Sequence, residues 1–223
     1  MRPLHGSPGP GLSKRALVFD YDGLIVDSEL PEYLCWQRVF EAHGQALSLQ
    51  DWLPIVGGAV IVDLRKELEG RLGRPLDWAR LDPERAAHYR SIFDRQPVLP
   101  GVRELFQAGR DAGWAIGVAS NSTLDWVGPG LERFGLRGYV GSLRARDTAR
   151  RPKPHPDPYL EVLAELGADP AQSYAFEDSA TGVAAARAAG LTVVAVPNTL
   201  TRHQDLGAAH MKLDSLEQFR LPG

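Results

Sequence analysis

Short apolar runs and longer amphipathic stretches alternate along most of this chain. The runs are Ala16–Phe19, Trp114–Ala119, Tyr174–Phe176 and Thr192–Val196, with a weaker one at Tyr139–Leu143. They are too short for buried helices and almost unbroken by polar residues, as expected of strands covered on both faces. Amphipathic stretches at Val102–Ala112, Asp157–Leu166 and Ala180–Ala189 precede the second, third and fourth runs and predict helices. The alternation predicts an α/β fold, a Rossmann-like parallel sheet with helices on both sides.

One segment breaks the rhythm. From Ser28 to about Gln96 the pattern is helical only, with helices expected at Leu30–His43, Val60–Leu72 and Asp82–Phe93. The two prolines of "QPVLPGV" then return the chain to strand and helix. The expected organisation is a flexible Pro- and Gly-rich tail at 1–14, an α/β core from 15–27 and 97–223, and a helical insert at 28–96 placed after the first strand. Trp36 and Phe40, at helical spacing, are expected in the core of the insert.

Composition narrows the function classes. A chain of 223 residues that is 43% hydrophobic can bury one good core, or a core with a smaller attached domain. Its 28 acidic and 25 basic residues leave a net charge of -3, with no basic face for nucleic acid. Lys/Arg-rich blocks that would hold an anionic membrane surface are also missing. No apolar run approaches the roughly 20 residues of a membrane span. The segment "MRPLHGSPGPGLSKR" lacks the apolar stretch of a secretion signal, so a cytoplasmic monomer is expected. The one cysteine, Cys35, lies beside Trp36 and reads as a packing residue.

In an open parallel sheet, ligands gather outside the carboxyl ends of the strands. After the first run stand Asp20 and Asp22, in "FDYDGLIVDSE". After the second come Ser120 and Asn121, in "GVASNST", and after the third Glu177 and Asp178, in "FEDSATG". Lys153 lies in the loop "RRPKPHPDPY". Each has a plain structural alternative: a turn for Asp-x-Asp-Gly, a helix cap for Ser120, a solvated loop lysine for Lys153, a helix start for Glu177-Asp178-Ser179. Converging at one sheet edge, the four carboxylates would repel strongly unless Lys153 and a hard divalent cation shared the site. Oxygen-only ligation suits Mg²⁺.

Taken together and in order, "DYDG" at Asp20–Gly23, "SN" at Ser120–Asn121, "KP" at Lys153–Pro154 and "ED" at Glu177–Asp178 resemble the four motifs of the haloacid dehalogenase-like hydrolases. "DGLIVDSE", "RPKPHPDPY" and "EDSATGVAAARAAG" are similar to the branch containing β-phosphoglucomutase and phosphoglycolate phosphatase. The resemblance spans about residues 15–200 and implies a Mg²⁺-dependent phosphatase acting on a small phosphorylated metabolite, with the helical insert as a cap domain. It implies Asp20 as the nucleophile that forms an aspartyl-phosphate, and Asp22 as the acid and then the base. Ser120, the backbone N–H of Asn121 and Lys153 would bind the phosphoryl group. Asp20, the Asp22 carbonyl, Asp178 and Glu177 (directly or through water) would hold the Mg²⁺.

Departures refine that expectation. The dehalogenases and phosphonatases of the family typically lack the second Asp of the first motif, present here as Asp22. The sugar-phosphate mutase carries a cap histidine where this chain has Glu32, and an arginine after the cap glycine turn where this chain reads "IVGGAVIV". Hydrolysis is therefore favoured over a β-phosphoglucomutase-like phosphotransfer, and a non-catalytic metabolite-binding module stands as a third reading. Glu32, the Gly57-Gly58 turn and Arg90 are the candidates for contacts to the leaving group. An acidic Glu32 would disfavour a second anion there and suit a sugar, polyol or amine-bearing group.

Overall fold

The computed structural model describes residues 14–56 and 62–222. Six strands among these form one fully parallel sheet in the order β3-β2-β1-β4-β5-β6. They are β1 (Ala16–Phe19), β2 (Ala115–Ala119), β3 (Ser142–Arg144), β4 (Tyr174–Glu177), β5 (Thr192–Ala195) and β6 (Met211–Lys212). The described helices are α1 (Glu29–Ala42), α2 (Leu49–Trp52), α3 (Leu64–Leu72), α4 (Trp78–Phe93), α5 (Val102–Asp111), α6 (Leu124–Arg133), α7 (Asp157–Leu166) and α8 (Ala180–Ala188). No described helix is long and apolar enough to cross a membrane.

The differences from the sequence expectation have local causes. No helix is expected between the second run and Tyr139, yet α6 spans Leu124–Arg133 with Gly128, Pro129 and Gly130 inside it. Gly130 is needed there because a Cβ would collide with the Tyr21 ring and hydroxyl. Helix α4 begins at Trp78 rather than Asp82, because the Asp77 side chain accepts from the Arg80 N–H and caps it, with Pro83 tolerated inside. A 3₁₀ turn takes Arg137–Tyr139, so β3 starts only at Ser142. Two exposed residues, Met211 and Lys212, make up β6, too short to show as an apolar run. Asp63 caps α3, which begins at Leu64; the Val60 start lies outside the described residues.

Burial divides into three clusters. Phe19, Phe106, Leu131 and Phe176 lead one beneath α5 and α6. Val18, Tyr159, Val183 and Val193 lead another beneath α7 and α8. Trp36, Phe40, Trp52 and Leu68 form a third among α1, α2 and α3, joined by Leu200. The chain leaves and rejoins the sheet at one place: Val26 and Val98 form an antiparallel bridge, and the Leu99 N–H donates to the Ile25 carbonyl at 2.9 Å. Arg133 of α6 donates to the carbonyls of Phe93, Asp94 and Gln96, tying the end of α4 down.

Strand order reverses at β1, flanked by β2 and β4, so successive crossovers diverge on either side of it. In such sheets the crevice outside the carboxyl ends at that reversal is where ligands sit.

Candidate active site

Asp20 follows the buried β1 directly, its N–H donating to the Phe176 carbonyl of β4 at 3.0 Å. This continues the β1–β4 ladder by one step and brings Asp20 against Glu177 and Asp178. One oxygen from each of these three carboxylates lies within 4.8 Å of the others. All three are buried: Asp20 is 6% exposed, Asp178 3% and Glu177 not at all. The Lys153 ammonium donates to Asp20 Oδ1 at 2.6 Å and to Glu177 Oε1 at 2.5 Å.

Those contacts leave the group with two negative charges in excess of its one cation when all are ionised. Burial pushes the Asp20 carboxyl up to about 8, with Lys153 pulling it down and Glu177 adding repulsion. Burial, then Asp20 and Glu177, also raises Asp178. For Lys153, burial acts to lower the ammonium but Asp20 and Glu177 outweigh it, holding it above its ordinary value. A divalent cation on Asp20 and Asp178 would balance the excess, and carboxylate oxygens are the donors that a hard ion takes. The donor set therefore fits Mg²⁺.

Three short-range devices hold the trio. The Tyr159 hydroxyl donates to Glu177 Oε1, the oxygen that also accepts from Lys153. Asn198, just past β5, donates to Asp178 Oδ2 at 2.8 Å and to the Gly23 carbonyl at 3.2 Å. Gly23 has φ +80°, and a Cβ there would strike the Asp178 carboxylate and the Asn198 amide. A second glycine, Gly182 in α8, lies where a Cβ would strike the Glu177 carboxylate. Neither position accepts a side chain.

Asp22 lies outside that trio, on the pocket side. Ser28 donates to Oδ1 at 2.6 Å, Ser122 to Oδ2 at 2.6 Å and the Trp126 indole to Oδ1 at 3.0 Å. Ser120 is buried at the end of β2, its hydroxyl accepting from the Ser122 N–H at 2.9 Å. The Asn121 side chain grips the Lys153 backbone from both sides, accepting its N–H at 2.8 Å and donating to its carbonyl at 3.1 Å. Asn121 is thus the residue that seats the lysine loop against β2.

Asp20, Asp22, Ser120, Asn121, Lys153 and Asp178 line one cavity of about 450 Å³. Glu177 stands behind it. Glu32 also lines it, but its Oε1 accepts from Arg85 at 2.6 Å and from the Trp36 indole at 3.1 Å. Gly57 and Gly58 lie outside the described residues. Arg90 is exposed on α4 and does not line the cavity; Tyr89, its neighbour, does. The sequence reading missed Ser28, Ser122, Trp126, Tyr159 and Asn198. Asn198 had a signal, since "VPN" follows a strand end. The exposed Arg146 at the cavity's rim had none.

The proton balance gives a pH dependence without metal. Asp20 moves from an ordinary 3.8 to about 8, so at neutral pH the folded protein holds a proton that the unfolded chain has released. That stabilisation is fully present below the unfolded value and is lost as pH rises through about 8. A bound cation replaces the proton. The Mg²⁺-induced gain in thermal midpoint is therefore expected to be larger at about pH 8.5 than at about pH 5.5. Fluorimetric melts with and without Mg²⁺ read it; equal gains at both would rule out the trio as the cation's seat.

A family model for haloacid dehalogenase-like hydrolases matches residues 14–190. YhcW of Bacillus subtilis (strain 168) is 35% identical over 207 residues, covering 93% of this chain and 94% of that protein. Hexitol phosphatase B of Escherichia coli (strain K12) is 30% identical over 222 residues, with 92% and 93% covered. Among solved structures, a family hydrolase from Deinococcus radiodurans R1 with bound phosphate and sodium superposes at a TM-score of 0.72, with 26% identity and 93% of each chain covered. The chain belongs to the haloacid dehalogenase-like hydrolases. Its enzyme class within that family is phosphoric monoester hydrolase.

Proposed function

We propose that this enzyme hydrolyses the phosphate monoester of a small polyhydroxy metabolite, a sugar or polyol phosphate, through an aspartyl-phosphate on Asp20. The observation that carries this reading is the pairing of two differently held carboxylates at one cavity: Asp20 against Lys153 in a buried acidic group, and Asp22 under three donors at the wall. In the first step an Asp20 oxygen bonds to phosphorus, the ester P–O bond breaks, and Asp22 gives the departing oxygen its proton. In the second, Asp22 takes a proton from water, the hydroxide bonds to phosphorus, and the Asp20–phosphorus bond breaks to free phosphate. Lys153, the Ser120 hydroxyl and the Asn121 N–H offset charge on the phosphoryl oxygens. Asp20, Asp178 and the Asp22 carbonyl, with Glu177 directly or through water, would hold a Mg²⁺ ion, which would supply the remaining neutralisation.

Residues 28–96 are read as a cap over the core of 15–27 and 97–223. Their separate apolar cluster and the cavity-facing Glu29, Glu32 and Tyr89 support this. Arg85 matches the charge of Glu32, so Glu32 is better suited to hydrogen-bonding a sugar or polyol than to repelling an anion. The test is phosphate release from a metabolite panel with Mg²⁺, including β-glucose 1-phosphate with detection of glucose 6-phosphate. Release from sugar or polyol phosphates is expected; conversion to glucose 6-phosphate would favour the mutase reading, and no release at all the binding module.

Asp22→Asn tests the acid–base role. Its kcat on alkyl phosphates is expected to fall by about 10²–10⁴, with aspartyl-phosphate accumulating on activated esters, read as label retained on acid-precipitated protein. Parental turnover would refute the role.

A further inference from the structure

Trp126 lies in the first turn of α6, outside all four sequence motifs, partly buried at the cavity wall. Its indole N–H donates to Asp22 Oδ1 at 3.0 Å. Its ring packs on Phe93, with centroids 4.7 Å apart, and on Tyr89 at 5.9 Å. Both belong to α4, where they stack on each other at 5.5 Å and 12°. One side chain thus meets Asp22 with its polar edge and the helical insert with its ring.

We infer that Trp126 is a positioning residue for Asp22: α4 seats the indole, and the indole sets the orientation of the carboxylate. The inference rests on the reading of Asp22 as the group that exchanges a proton with leaving group and water. Ser28 and Ser122 also touch Asp22, but a hydroxyl rotates between donor and acceptor and follows the carboxyl wherever it turns. An indole N–H only donates, from a rigid ring. It fixes Oδ1 as an acceptor, while Oδ2 keeps an adaptable partner in Ser122. The two oxygens are made unequal before substrate arrives, and a carboxyl held this way meets the ester oxygen without first searching for its orientation.

The experiment compares kcat/KM, with Mg²⁺, for two monoesters that differ in their need for a proton. One is the best alkyl phosphate of the metabolite panel, whose alkoxide is a poor leaving group. The other is p-nitrophenyl phosphate, whose phenolate departs unaided. Trp126→Phe keeps the ring contacts and removes the N–H. Its kcat/KM on the alkyl ester is expected to fall about tenfold, with less than about threefold loss on the aryl ester and an unchanged thermal midpoint. Phe93→Leu, which keeps the N–H and removes the ring packed closest on the indole, should shift the ratio in the same direction by less, and it carries the test if Trp126→Phe does not fold. Equal losses on both esters in these variants overturn the inference. Asp22→Asn is the control and should show the same ester selectivity more strongly. If it does and the other two do not, only the role of Trp126 falls; if it does not, the acid–base reading falls and this inference with it.

Discussion

Asp20→Asn is expected to lower kcat by about 10⁴–10⁶, the scale of losing a nucleophile from a covalent mechanism, while leaving the fold intact. An amide has nearly the size of the carboxyl but no charge to offer phosphorus. The variant should also lose nothing in metal-free stability near pH 8, because the carboxyl it removes is already strained by burial and by Glu177. Lys153 keeps its second partner, Glu177, at 2.5 Å. Phosphate release and a metal-free melt measure the two halves. Substantial residual turnover would remove Asp20 as the nucleophile; a collapse of the melt would mean that its ionised form is needed to hold the fold.

Lys153→Met should act the other way on stability. The lysine side chain is 3% exposed between Asp20 and Glu177, and methionine fills most of its stem without the charge. Breaking a buried pair by removing one member costs about 3–5 kcal/mol. The acids can take up protons, so the low end applies, a fall of about 6–12 °C in the metal-free midpoint for a chain of this size. The fall should be greater at about pH 8.5 than at about pH 5.5, since protonation relieves the uncompensated carboxylates. Mg²⁺ should restore part of the midpoint, but kcat should stay down by at least about 10². Calorimetry paired with phosphate release checks it, and parental stability at the higher pH without Mg²⁺ would contradict the charge balance described for the site.

How much of this was legible in the sequence depends on what kind of force fixes each feature. The buried strands β1, β2, β4 and β5 were readable because continuous apolar runs have few other fates. Asp20, Ser120, Glu177 and Asp178 follow from a rule about strand ends, which needs only the order of the runs. The same rule points to Asn198, two residues past the run Thr192–Val196, which the sequence reading missed. The donors on Asp22 were hidden for a different reason. Ser28 comes six residues later in the chain, Ser122 a hundred, and Trp126 sits on a helix whose Gly-Pro-Gly centre reads as a break. That helix exists because tertiary packing against Tyr21 outweighs local propensity. The ion pair of Glu32 with Arg85 is another long-range product, 53 residues apart between α1 and α4, and it changed the charge assigned to the cavity roof.

The bridge between Val26 and Val98 has a consequence for how such an enzyme can diversify. The chain departs from the sheet and comes back at two residues already paired to each other, with Leu99 bonded to Ile25 beside them. Whatever lies between them is a parenthesis in the polypeptide, closed at its own base. Doubling the length of such a loop costs only about 0.6 kcal/mol of closure entropy, and segments are exchanged most readily where their ends meet. If the parenthesis is the proposed cap, its sequence can change without disturbing the registers of the strands that carry Asp20, Ser120 and Glu177, so recognition and chemistry would vary independently.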